Sequence, residues 1–80
     1  APVHLLIVPN QHISSVNDVS EDDRVVLGHL FTTARKVASS MGIQETGFRL
    51  IVNTGPDAHQ EVFHIHMHLL GGGKMEHPMG

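Results

Sequence analysis

Between Val62 and Leu70 the chain alternates apolar residues with histidine: Phe63, His64, Ile65, His66, Met67, His68, Leu69. A period of two is the mark of an extended strand, whose side chains point by turns to opposite faces. Phe63, Ile65, Met67 and Leu69 then share one apolar face, and His64, His66 and His68 share the other. Neighbouring imidazoles stand about 6.6–6.8 Å apart at Cα, from the rise per residue of a strand. An apolar strand face demands a covering layer, so this segment belongs to a sheet with something packed on one side. Gly71-Gly72-Gly73 ends it.

The covering layer is legible upstream. Ser20 is a helix N-cap with Glu21, Asp22 and Asp23 on the first turn, where negative charge is favoured, and Ser20 with Asp23 forms a weak capping box. Leu27, Leu30, Phe31, Ala34, Val37, Ala38 and Met41 recur at spacings of three and four, one apolar stripe that Gly42 closes. Gly28 inside this helix costs about 1 kcal/mol against alanine, and close helix packing is the expected compensation. Val3 to Val8 is a β-prone run apolar on both faces, stopped by Pro9-Asn10; Gln11 to Val19 is a polar connection. Gly47 to Asn53 is a further strand, and Thr54-Gly55-Pro56-Asp57 a turn. Strand, helix, strand in that order suggests a parallel pair. The tail from Lys74 to Gly80 has nothing to hold it, and a chain that opens at Ala1-Pro2 almost inside a central strand points to upstream sequence.

Composition narrows the partners. The 80 residues suffice for one domain, residues 1–80, and carry a net charge of −3, which gives no electrostatic footprint for DNA or RNA and no basic anchor for a membrane. Zero cysteine removes both a disulfide framework and a thiolate zinc site. The expectation is a soluble, cytoplasmic protein. At this size a single core supplies only about 3–5 kcal/mol of net stability, so a partner, a metal or further sequence is expected to help.

Eight histidines in 80 residues set the chemistry. Burying three neutral imidazoles requires a partner for each N–H, and charging all three is opposed by mutual repulsion. A solvated row of surface histidines fits poorly with the apolar Val62 and Leu70 that bound it. A metal centre is a second reading, but His64 and His68 lie ~13 Å apart along an extended strand. A third ligand such as His12 or His59 would then be needed, and no carboxylate stands at metal-site spacing. The third reading is nucleophilic and acid–base catalysis at phosphorus. A neutral imidazole is a good nucleophile, clustered imidazoles oppose one another's charging, and backbone N–H groups of the turn after Asn53 could cradle phosphoryl oxygens. His4 in its hydrophobic strand is read as a satisfied core or sheet-face histidine, His29 as a helix residue in solvent or at an interface, and Met41, Met67 and Met75 as gap-filling core or contact residues.

His64-Ile65-His66-Met67-His68-Leu69-Leu70 resembles the His-φ-His-φ-His-φ-φ signature (φ apolar) of the histidine triad, or HIT, superfamily. The branch most resembled is the histidine triad nucleotide-binding proteins in bacterial form. Pro9 to Ser14, the Gly28-containing helix, Phe48 to Asn53, Gln60 to Phe63 and Leu70-Gly71-Gly72 fall in register with it. The resemblance implies an α+β fold, a mainly antiparallel sheet with one long packed helix, in place of the parallel pair. It implies hydrolysis of nucleoside 5′-phosphoramidates, AMP or a similar purine nucleotide linked to an amine, through a covalent nucleotidyl-histidine. His66 would attack, His68 would contact phosphate and assist the leaving group, and His64 with His12 would fix the ring of His66. Asn53 would hold phosphate or ribose, and His59, Gln60 and Glu61 would line the phosphate site. No metal or other cofactor is implied, and a homodimer is. Ala58-His59 stands where the family usually has two glycines, Glu61 where many relatives have serine, and His77-Pro78 where animal relatives place a tryptophan. The family's N-terminal helix and first strands have no counterpart in these residues, so nucleoside affinity is expected to suffer more than chemistry at phosphorus. The alternatives are a non-catalytic nucleotide-binding or regulatory module and a histidine-ligated metal protein.

Overall fold

A computed structural model describes residues 2–79; Ala1 and Gly80, where the sequence suggested an abrupt start and a loose end, lie outside the described residues. Strand β1 (Val3–Ile7) leads through two short 3₁₀ turns into helix α1 (Arg24–Ser40), then β2 (Phe48–Ile51) and β3 (Met67–Gly71). The sheet order is β1-β3-β2, and both flanking strands run antiparallel to β3. β1 and β2 therefore point the same way, as strand–helix–strand order suggests, but they are not neighbours. The last strand to be made takes the slot between them and reverses every pairing. The α+β, mainly antiparallel architecture follows.

The helix begins where its cap requires. The Asp23 carboxylate accepts from the Ser20 backbone N–H at 2.9 Å and from its hydroxyl at 3.4 Å, and Gln11 Nε2 donates to the other oxygen at 2.9 Å. At the far end Gly42 turns left-handed (φ 72°), the Gly42 N–H donates to Ser39 O, and the Ile43 N–H donates to Ala38 O. This is a Schellman closure, and Ile43 folds back onto Ala38 in the core. Leu30, Ala34 and Ala38 face the sheet and pack with Ile7, Ile43, Met67 and Leu69; the two alanines let helix and sheet approach closely. Phe31 and Met41, expected on the same stripe, are exposed. Phe31 lies on the flank of the stripe beyond the reach of a three-stranded sheet, and Met41 is the C-cap. Among the described residues nothing lies within 4 Å of a Cβ built on Gly28, so no packing among them compensates it. The tail is held after all, since Arg49 Nη2 donates to His77 O at 2.8 Å.

The third strand is shorter than its alternation suggests. It pairs from Met67 to Gly71, whereas residues 62–66 leave the ladder. The β1 register sets Ile7 against Met67, so the next such partner, for Ile65, would be Pro9, which has no N–H to offer. Ile65 instead donates to Ile13 O, and Phe63 is exposed rather than part of the core face. Gly71 marks the tightest point of the sheet. A Cβ there would stand 2.5 Å from Ile43 Cδ1 and 3.4 Å from both Gly47 O and Phe48 Cβ. Gly71→Ala is expected to destabilise the fold by about 1–3 kcal/mol through overpacking. Urea denaturation checks this, and an unchanged midpoint would mean that Ile43 relocates freely.

Candidate active site

The site lies where the sheet ends and Pro9 forces the chain away. Segment 9–13 replaces β1 as the partner of 63–65. His64 Nε2 donates to Pro9 O at 2.9 Å, and His12 Nε2 donates to Phe63 O at 3.2 Å. These two imidazoles meet edge to face with centroids 5.2 Å apart. A carbonyl oxygen can only accept, so each of these nitrogens carries the hydrogen.

The same logic sets the tautomer of the central ring. His66 Nδ1 lies 2.8 Å from the backbone carbonyl of His64, two residues back on the same chain. Nδ1 therefore holds the hydrogen, and the lone pair of the neutral ring is on Nε2. The resemblance gave this task to His64 with His12. His64 makes the contact through its backbone oxygen, while the imidazoles of His64 and His12 brace the connecting segment. His66 and His68 stand edge to face with centroids 5.1 Å apart.

His68 is in the ladder, between Leu6 of β1 and Ile51 of β2. Its Nδ1 lies 3.0 Å from His4 Nε2, with ring centroids 5.2 Å apart. His4 pairs with Leu70 and so reaches His68 on the diagonal, on the sheet face away from the helix. Nothing in the sequence marked this contact, because it depends on the register of β1 on β3. Desolvation, and then the neighbouring His66 and His4, push the His68 imidazole below its ordinary value of 6.5. The unfolded chain then binds a proton more readily than the native one. Stability is expected to fall as pH drops from about 6.5 towards the lowered native value, and to level off below it. Chemical denaturation of the parent and His68→Gln across that range measures the effect; identical slopes would contradict it.

The loop after β2 completes the surroundings. The half-buried Asn53 lies two residues beyond the end of β2. Gly55 (φ 80°) opens a 3₁₀ turn, Pro56–Ala58, and His59 ends it in the left-handed region at φ 59°. Left-handed backbone costs a non-glycine residue roughly 1–2 kcal/mol, which accounts for the glycine the resemblance expects nearby. Gln60 is buried and fully engaged. Its Oε1 accepts from the Gly55 N–H at 2.9 Å, and its Nε2 donates to Ser14 O at 2.8 Å and Val62 O at 3.1 Å. The Gln60 side chain is thus a brace that ties Ser14 to the loop after β2, with both amide hydrogens engaged. His59 and Glu61 are exposed on either side of it. Among the described residues no three His, Cys, Asp or Glu side chains converge to hold a metal ion, and no helix is long and apolar enough to cross a membrane.

Comparison with known proteins agrees with this geometry. The HIT domain profile matches residues 1–75. Over 72 residues, 90% of the chain, the sequence is 56% identical to the purine nucleoside phosphoramidase of Escherichia coli (strain K12), of which it spans 60%. It is 41% identical, over all 80 residues, to an uncharacterized HIT-like protein of Synechococcus elongatus and covers 69% of it. The crystal structure of a HIT family hydrolase from Legionella pneumophila Philadelphia 1 matches the whole chain with a TM-score of 0.95 at 48% identity, 71% of that chain being covered. A histidine triad protein from Clostridium difficile matches 99% of the chain with a TM-score of 0.92 at 38% identity, 69% of it being covered. With its imidazole row, its antiparallel sheet and these similarities, the chain belongs to the HIT domain family.

Proposed function

We propose that this chain acts as a nucleoside phosphoramidase, cleaving the P–N bond between a purine nucleoside 5′-phosphate and an amine. One observation carries the reading: His66 Nδ1 is held on the His64 carbonyl at 2.8 Å, which leaves the Nε2 lone pair for phosphorus. His66 Nε2 attacks the α-phosphorus while the P–N bonding pair departs with the amine nitrogen, which needs a proton from His68. Water then attacks the nucleotidyl-histidine and releases the nucleoside monophosphate. Asn53 holds phosphate or ribose, and the backbone of His59, Gln60 and Glu61 lines the phosphate site. The naming of the E. coli relative supports the substrate class, and the net charge of −3 suits a single nucleotide better than a polymer. We read residues 1–80 as one domain that acts as a homodimer in the cytoplasm. Exposed Val25, Phe31 and the open flank at Gly28 support pairing through the helix.

The test is amine release from AMP linked to an alkylamine, with and without a chelator. Turnover that survives the chelator supports the reading. Nucleotide binding without turnover would replace it with a binding module, and loss of turnover to the chelator with a metal-dependent protein.

A further inference from the structure

We propose that the cavity beyond His68, on the sheet face away from the helix, is a leaving-group subsite that selects amines carrying a carboxylate. The inference rests on the phosphoramidase reading and adds to it the chemical class of the amine. The chain has five Lys and Arg residues. Arg24, Arg35 and Lys36 lie on helix α1, and the other two, Arg49 and Lys74, line one cavity of about 510 Å³ together with Leu70, Met75, Glu76 and His77. Glu76 offsets one of the two cations, so the cavity keeps one positive charge while His77 is neutral. Among the described residues neither Arg49 nor Lys74 forms an ion pair. The half-buried Arg49 donates through Nη2 to His77 O at 2.8 Å, and among the described residues its guanidinium makes no other hydrogen bond. A guanidinium carries five N–H donors in a planar fork, so Arg49 can still hold the two oxygens of a carboxylate.

Strand register puts this cavity on the path of the departing amine. His68 and Leu70 alternate with the buried Met67, Leu69 and Gly71, and so share the face away from the helix. Ile51 stands opposite His68 and Arg49 opposite Leu70. Arg49 is therefore the diagonal neighbour of His68, about 7–8 Å from it at Cα. Displacement at phosphorus runs in line, with the leaving atom opposite the attacking one. A nitrogen that leaves opposite His66 Nε2 and takes its proton from His68 carries its substituent past His68, towards Leu70 and Arg49. Leu70 and Met75 offer apolar surface to a short alkyl chain, and Arg49 with Lys74 meets an anion at its end. The loop after β2 has Asp57 and Glu61 as its formally charged residues, so these cations are no part of the phosphate site. 4-Aminobutyrate, with a carboxylate at the end of a short chain, matches this layout.

The test compares the full chain with its Arg49 variants on three substrates, AMP linked through nitrogen to 4-aminobutyrate, to butylamine and to 1,4-diaminobutane. These place a negative, a neutral and a positive group at the end of similar chains. The parent is expected to cleave the 4-aminobutyrate conjugate with a kcat/KM about tenfold above that for the butylamine conjugate, and the diaminobutane conjugate more slowly than either. In Arg49→Gln the preference for the carboxylate should fall several-fold, and in Arg49→Lys most of it should persist. In Arg49→Glu the order should reverse in favour of 1,4-diaminobutane. Each preference is a ratio taken within one protein, so a loss of folded material lowers both rates and leaves it unchanged. Equal rates or the opposite order in the parent, or a preference unchanged by Arg49→Gln or Arg49→Glu, overturns the subsite and leaves the phosphoramidase reading standing. If the parent releases none of the three amines, the phosphoramidase reading itself fails and the subsite falls with it.

Discussion

His66→Ala is expected to lower kcat for amine release by about 10⁴-fold or more and to abolish the covalent nucleotidyl adduct. His64 and His12 cannot take over, because their Nε2 atoms are committed to the carbonyls of Pro9 and Phe63, and in the proposed reaction His68 serves the leaving amine. The fold should survive, because the ring is only partly buried and donates a single hydrogen bond, worth about 1 kcal/mol net. Intact mass of the protein, trapped with substrate under non-acidic denaturation, locates the adduct. An adduct on His68 in the parent, or a variant within tenfold of the parent rate, would remove His66 from the centre of the mechanism. Substitution of His64 should be much milder than its place in the triplet suggests. The atom of His64 that orients His66 is a backbone oxygen, and every substitution but a backbone rearrangement keeps it.

Gln60→Glu is expected to cost about 3–5 kcal/mol, comparable to the whole stability a core of this size provides. The exchange is isosteric, so packing is unchanged. It replaces the amide that donates to Ser14 O and Val62 O with a carboxylate oxygen facing two carbonyl oxygens in a buried site. Burial and that repulsion both favour the protonated acid, whose one O–H restores one of the two donations. The variant should therefore recover stability relative to the parent as pH falls from 7 to 5, opposite in sign to the effect of His68. Urea titrations at the two pH values measure it. A neutral substitution at pH 7 would mean that the loop after β2 does not depend on this brace.

The two residues show how far local pattern reaches. The closeness of His66 to His68, with ring centroids 5.1 Å apart, was legible because alternation is a property of contiguous sequence. So were the helix ends, where Ser20 and Asp23 cap one another and Gly42 turns left-handed, since a cap is made by residues within a few positions. For Gln60 the resemblance implied a backbone lining the phosphate site and said nothing of its side chain. Its partners Gly55 and Val62 lie in its own loop, but Ser14 lies 46 positions away, and nothing in the sequence states that they meet.

Side-chain periodicity records which residues share a face, and by itself it determined the strand character of Met67 to Leu69 and helix α1 with its packing face of Leu30, Ala34 and Ala38. Periodicity does not record the partner strand. Only tertiary pairing placed β3 between β1 and β2, ended the ladder where Pro9 lacks an N–H, left Phe31 and Phe63 in solvent, and set His4 diagonally against His68. The physical reason is that hydrogen bonds across a sheet join residues some 64 positions apart, as His4 and His68 are. Their register is decided by the fit of the whole sheet against the helix rather than by either strand alone.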